Sequence, residues 1–129
     1  MHVDASALTA MLLREPERDE LIDRLTISGN KTTSAVSVLE TIMAVRRALG
    51  DRTDALEAVR SILDEARIEI APIDENLING LADAHLRYGK GSGSPVRLNL
   101  GDCFSYALAK RAGVPLLYKG DDFAHTDLD

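Results

Sequence analysis

The sequence predicts an α/β fold: a three-layer α/β/α sandwich with a central, mainly parallel sheet. Three observations carry that reading. Short β-branched or apolar runs alternate with longer stretches of helical periodicity along the chain. Glycines and prolines fall where these segments meet. No internal repeat divides the 129 residues, a length that suits one core, so residues 1–129 read as a single domain.

The elements follow in order. Met1 to Val3 reads as a very short buried strand. A helix starts at about Ala5, with Leu8, Met11 and Leu12 on one face. Pro16 ends that segment or starts the next, and Leu21, Ile22 and Leu25 mark a second helix closed by Gly29-Asn30. Thr32 to Val36 is β-branched and small, which suits a second strand. Val38 to Leu49 is helical, with Ile42, Val45 and Leu49 in register and Gly50 as its stop. Leu56, Val59, Ile62 and Leu63 form the apolar stripe of the next helix. Ile68-Glu69-Ile70 alternates as a strand before Pro72. Leu77, Ile78 and Leu81 mark a helix ending near Gly89. The run Gly89-Lys90-Gly91-Ser92-Gly93-Ser94-Pro95 is a flexible loop between two helices. Phe104 to Ala112 is helical, stopped by Gly113, and Val114 to Tyr118 is the last strand. Strand alternating with helix argues for layers around a parallel sheet.

Composition narrows the class. A hydrophobic fraction of 45% with 28% charged residues is that of a folded domain. Without Trp, and with 4% aromatics, aliphatic packing must carry the core. A net charge of −6 argues against nonspecific binding of nucleic acid, unless some carboxylates face inward and hold cations. Cys103 is the only cysteine, so no internal disulfide forms and a reducing compartment fits. The opening Met-His-Val-Asp has neither a signal peptide nor a membrane span, so a cytoplasmic location is expected.

The acids are placed in a pattern. Asp4 follows the first strand, Glu40 enters the helix after the second, and Asp102 precedes the helix before the last strand. Asp121 and Asp122 lie just past that last strand. In a parallel sheet the strand ends that feed helices share one edge, and ligands bind in the crevice outside them. Gathered carboxylates repel one another unless a cation offsets the charge. Mg²⁺ or Mn²⁺ suits such oxygen ligands and can activate water in phosphodiester cleavage. Each acid also has a local explanation. Asp4 can cap a helix. Ser37-Val38-Leu39-Glu40 and Asn99-Leu100-Gly101-Asp102 both fit a capping box, and Asp121-Asp122 can be a solvated turn.

Four segments resemble the motifs of PIN-domain ribonucleases, in the expected order. They are Val3-Asp4-Ala5-Ser6-Ala7-Leu8, Ser34 through Glu40, Leu98 through Ala107, and Leu117-Tyr118-Lys119-Gly120-Asp121-Asp122-Phe123 with Thr126-Asp127. The last two resemble one branch of the VapC toxins and are the specific ones. The resemblance implies a Mg²⁺- or Mn²⁺-dependent endoribonuclease. Asp4 and Asp102 would be the principal metal ligands, with Glu40 completing the shell or orienting water. It also implies RNA as substrate and a VapB-like antitoxin whose peptide plugs the site, and a homodimer is expected. Many PIN domains place the fourth acid two residues before the Asp that precedes Phe. Here that position is Gly120, so the fourth acid is left open between Asp121 and Asp122.

Ser6 could hold Asp4 or a metal-bound water, or bond the backbone of the first helical turn. Lys90 and Arg97, on either side of the Gly/Ser loop, are candidate RNA contacts; Arg46-Arg47, Arg87 and Lys110-Arg111 read mainly as solvated helix positions. His2, His85 and His125 have no metal-ligand spacing, and Cys103 has no neighbouring His to activate it. Two rival classes share part of this pattern. A phosphoacceptor receiver domain would use Lys119, but Ile68-Glu69-Ile70-Ala71-Pro72 offers no phosphorylatable Asp. A catalytically inactive interaction domain has all the principal acids against it.

Overall fold

A computed structural model describes residues 1–128; Asp129, the last residue of the domain expected over 1–129, lies outside the described residues. The chain runs β1 (His2–Val3), α1 (Ala5–Leu12), α2 (Arg18–Thr26), β2 (Lys31–Thr33), α3 (Ala35–Leu49), α4 (Ala55–Ala66) and β3 (Ile68–Ile70). A 3₁₀ turn (Glu75–Leu77) then leads into α5 (Ile78–Tyr88), α6 (Leu100–Ala112) and β4 (Leu116–Leu117). The four strands form one parallel sheet in the order β3-β2-β1-β4. From β1 the chain steps outward through β2 and β3, then returns to place β4 on the other side of β1. The switch point therefore lies at the carboxyl ends of β1 and β4, where a parallel sheet opens a crevice.

Side-chain alternation along β4 separates the layers. Leu117 joins Val3, Leu8, Met11, Leu21 and Leu25 in a core beneath α1 and α2, with Ile62 and Leu63 of α4 packed against it. Leu116 turns to the opposite face, among Ala84, Tyr88, Tyr106, Ala109 and Phe123. Helices α5 and α6 cover that face. The result is the three-layer sandwich expected. Among the described residues no helix is long and apolar enough to cross a membrane.

Several boundaries differ from expectation, for identifiable reasons. The second strand was expected over Thr32 to Val36, but it ends at Thr33. Ser34 stops it by capping α3, its Oγ accepting the Ser37 N–H at 3.1 Å. The capping box expected at Ser37–Glu40 therefore does not form: Ser37 is already in the helix and fully buried. Ile42, Val45 and Leu49 were expected to share the buried stripe of α3. Instead Ser37, Thr41 and Val45 are buried, and Leu49 is exposed. The Thr41 hydroxyl bonds the Ser37 carbonyl at 2.8 Å, which lets this polar face pack dry. Leu56 of α4 is likewise exposed. Helix α6 begins at Leu100 rather than Phe104, because Asn99 and Asp102 form a capping box. The last strand shrinks to Leu116–Leu117, although the Pro115 carbonyl still receives the His2 N–H at 2.9 Å.

Candidate active site

Asp4 leaves the end of β1 with its backbone N–H bonded to Leu117 O of β4 at 2.9 Å. This bond seats it at the switch point. Its Oδ2 accepts the Ser6 N–H at 2.9 Å and the Ser6 hydroxyl at 2.6 Å. Asp4 thus caps α1, as the local explanation held. Its other oxygen, Oδ1, is turned into the crevice and accepts the Ser105 hydroxyl of α6 at 2.5 Å. Ser105 is fully buried and lies 3.4 Å from the Ser37 hydroxyl of α3. The Ser6 Oγ also accepts the Lys119 backbone N–H at 3.0 Å, tying the segment after β4 to the start of α1.

Asp102 opens α6. Its Oδ2 accepts the Asn99 N–H at 3.1 Å, while Asn99 Oδ1 accepts the Asp102 N–H at 2.8 Å. Cap and cluster member are therefore the same side chain. Burial pushes the Asp102 carboxyl up to about 6. The Asn99 N–H opposes that shift, the charges of Asp4 and Asp122 add to it, and Lys90 opposes it.

Glu40 stands in the second turn of α3, half-buried, with its carboxylate over Gly101 of α6. A Cβ at position 101 would overlap that carboxylate. Burial first, then the charges of Asp4 and Asp102, push Glu40 up to about 7. Asp4, Glu40 and Asp102, carried by β1, α3 and α6, thus share one electrostatic neighbourhood at the carboxyl edge of the sheet.

Asp122 is exposed but close enough for Asp102 to feel its charge. Asp121 is also exposed. Lys90 lies at the rim, and Arg97 is exposed with no hydrogen bond or ion pair to the acids. Lys119 does not face the cluster with its charge: Nζ is 2.5 Å from Glu15 and 3.3 Å from Glu17.

Three residues of this site escaped sequence reasoning: Ser105, Ser37 and Gly101. A signal existed for the serines, since each lies three residues from an acid on its own helix and so shares its face. Nothing local marks the role of Gly101, because its partner Glu40 is on another helix.

Among the described residues no three His, Cys, Asp or Glu side chains already converge as a cation cage. The donor set nevertheless fits a hard divalent ion. It is all oxygen and comes from three elements, the Gly101 cradle leaves room for Glu40, and the like charges that raise Glu40 and Asp102 are what a cation relieves. Histidine and cysteine chemistry is not supported here. Burial lowers His2 to about 4, keeping it neutral, with Nδ1 2.9 Å from Thr32 Oγ1. Burial, then the charge of Asp102, raises the Cys103 thiol.

Two grooves adjoin this edge and the opposite one. A groove of about 400 Å³ between α5 and α6 runs from Lys90 and Asn99 over Leu81, Leu98, Leu100 and Phe104. A larger one, about 590 Å³, lies between α1, α2 and α4, lined by Met11, Leu12, Ile22, Leu25 and Ile62, with Arg14 and Arg18 at its border.

Comparison with known proteins identifies the family. The family model described as PIN domain matches residues 1–128. Ribonuclease VapC42 of Mycobacterium tuberculosis is 41% identical over 128 residues, covering 99% of this chain and 96% of the relative. A VapC ribonuclease of Rhizobium meliloti is 39% identical over 138 residues, covering 98% and 97%. The crystal structure of Mycobacterium tuberculosis VapC20, described as a sarcin-ricin loop cleaving toxin, superposes with a TM-score of 0.76 at 18% identity, covering 99% of this chain and 95% of that one. That structure supports the shared fold, and the family match removes the receiver alternative. The chain belongs to the PIN-domain family.

Proposed function

We propose that this protein is a Mg²⁺- or Mn²⁺-dependent endoribonuclease, the toxin of a VapBC-type pair. The observation that supports the reading is that Glu40 feels the charges of Asp4 and Asp102 at the carboxyl edge of the sheet, in a chain whose relatives are named VapC ribonucleases. Asp4 and Asp102 would hold the metal, with Glu40 completing its shell. When bound, the metal supplies a water acidic enough to attack a phosphodiester and charge to stabilise the leaving oxygen.

The chain's own residues do the rest. Ser6 and Ser105 hold the Asp4 carboxylate in one orientation, leaving it little freedom to rotate when substrate arrives. Glu40, beside Asp4 and Asp102, would orient the attacking water or accept its proton; its raised value of about 7 belongs to the metal-free cluster and would fall when a cation binds. Asp122 is the better placed of the two candidates for the fourth acid, since Asp102 feels its charge. Lys90 at the rim, with Arg97 further along the same segment, would meet backbone phosphates, and the groove behind Lys90 can receive an unstacked part of the RNA.

The same reading supplies a partner. A VapB-like antitoxin would lay an apolar helix in the groove between α1, α2 and α4, and a further segment of it would reach round to the carboxyl edge and bring an Arg or Lys to the acids in place of the metal. A homodimer belongs to this reading too. Leu39 and Met43, exposed one turn apart on α3, offer it an apolar face. The expected cytoplasmic location agrees with an RNA substrate.

The test is cleavage of RNA by the purified protein in Mg²⁺, in EDTA, and after Asp4→Asn or Asp102→Asn. Each substitution should reduce the rate by about 100-fold or more while the protein stays folded. Cleavage at the parent rate by either variant would remove the site. Full cleavage in EDTA would remove the metal.

A further inference from the structure

The Thr126-Asp127 pair, singled out by its sequence, has no part in the chemistry described so far. Residues 121–128 run without regular structure along α5 and α6 and are pinned at two points. The first is Phe123, fully buried among Tyr106, Cys103 and Leu116 and packed edge-to-face on Tyr118 with ring centres 5.1 Å apart. The second is Asp127. Its Oδ1 accepts the Tyr106 hydroxyl at 2.7 Å, and its Oδ2 lies 2.9 Å from Lys110 Nζ and 3.5 Å from Arg87 Nη1. Its backbone N–H reaches the Tyr88 hydroxyl at 3.2 Å. Arg87 completes the clamp by donating to Tyr106 at 3.1 Å and Tyr88 at 2.9 Å.

Between the pins the backbone is closed by local bonds. Thr126 N–H and Oγ1 both donate to the Phe123 carbonyl, at 3.1 and 2.8 Å, and Ala124 N–H donates to the Asp121 carbonyl at 3.1 Å. Little slack is left between Asp127 and Asp122. The far side of the clamp is equally direct, because Tyr106 lies one turn after Asp102 on α6. The same helix therefore holds Asp102 at its start and, one turn on, the hydroxyl that grips the tail.

We infer that Asp127 is a positioning residue: clamped by Tyr106, Lys110 and Arg87, it holds the tail that carries Asp122 against α6, the helix that opens with Asp102. The inference rests on the metal-site reading above, and it assigns the clamp a purpose beyond fastening the end of the chain. A tail that only closes the core would tolerate loss of Asp127 with no effect on a metal at Asp102.

The experiment is Mn²⁺ binding by calorimetry to the full chain, in a double-mutant cycle of Asp127→Ala and Asp122→Asn. Asp127→Ala alone should weaken Mn²⁺ binding about tenfold, as expected of a residue that orients a ligand. In the Asp122→Asn background the same change should alter it by no more than about twofold. Asp127→Asn, which keeps an acceptor for Tyr106, should recover part of the loss. Val59→Ala, a core change in α4 away from the tail, controls for loosening of the fold. If Asp127→Ala does not fold, Tyr106→Phe removes the grip and keeps the ring. Losses that add across the cycle, or a matching loss in Val59→Ala, would overturn the positioning role while leaving the metal site standing. A parent protein that binds no Mn²⁺ would overturn the metal-site reading, and the role of Asp127 with it.

Discussion

The Glu40 carboxylate occupies the space that a side chain at position 101 would fill, so Gly101 of α6 and Glu40 of α3 form one steric unit. Gly101→Ala should push that carboxylate away from Asp102 and Asp4. Ala is favoured over Gly inside a helix by roughly 0.5–1 kcal/mol, so the fold should survive. The cleavage rate should drop by on the order of 100-fold, as for a catalytic group displaced by about an ångström. Steady-state kinetics beside a melting curve checks this; an unchanged rate would mean that Glu40 needs no cradle.

Protons and cations should compete for the same acids. Glu40 at about 7 and Asp102 at about 6 keep their protons after the unfolded chain has released its own. Metal-free protein therefore draws stability from these groups at low pH and loses it as pH rises through their folded values. His2 acts the other way: lowered to about 4, it costs stability as pH falls below its ordinary range. Glu40→Gln isolates one contribution. In EDTA the variant should gain melting temperature over the parent between about pH 5 and about pH 8, and Mg²⁺ should shrink the gain. A difference that stays constant across that range would show that Glu40 is not held protonated.

Ser105 has no charge, yet Asp4 depends on it. Ser105→Ala leaves Asp4 Oδ1 without its 2.5 Å donor inside the crevice. Stability should fall by roughly 1–2 kcal/mol and the cleavage rate by about tenfold. Ser34→Ala should cost about 1 kcal/mol of stability through the lost cap of α3, with little change in rate. Equal effects of the two on the rate would reduce Ser105 to a packing residue.

Metal and antitoxin should exclude each other. If a basic side chain of the partner replaces the cation, Mn²⁺ weakens partner binding by the factor by which the partner weakens Mn²⁺ binding. Titration with the product of the adjacent reading frame, with and without Mn²⁺, measures both. Tight binding that ignores Mn²⁺ would keep the partner and reject the plug. No binding at micromolar concentration would remove the toxin–antitoxin assignment.

Legibility in the sequence followed the range of the interaction. The Leu8 and Met11 stripe, the Asn99–Asp102 capping box and the Gly113 stop are local patterns, and the structure contains each of them. The second strand was read too long because Ala35 and Val36 are as apolar as strand residues. Only the hydroxyl of Ser34, turned to cap α3, ends it. The buried stripe of α3 departs from apolar periodicity for a related reason. That helix faces a polar crevice, so Ser37 and Thr41 are buried where apolar periodicity favoured Ile42 and Leu49.

By itself the sequence determined which residues could serve: Asp4 and Glu40 after strands, Asp102 at the start of a helix, and Asp121 and Asp122 past the last strand, in an α/β alternation whose parallel sheet brings its strand ends to one edge. That follows from periods of a few residues and from caps, which act within a single turn. The tertiary structure alone decided how the acids are held. Ser105 reaches Asp4 across 101 positions, Glu40 rests on Gly101, and Asp127 grips Tyr106 beside Asp102. Such contacts depend on how α3, α6 and the tail pack around β1 and β4, and a side chain's neighbours along the chain carry no record of that packing.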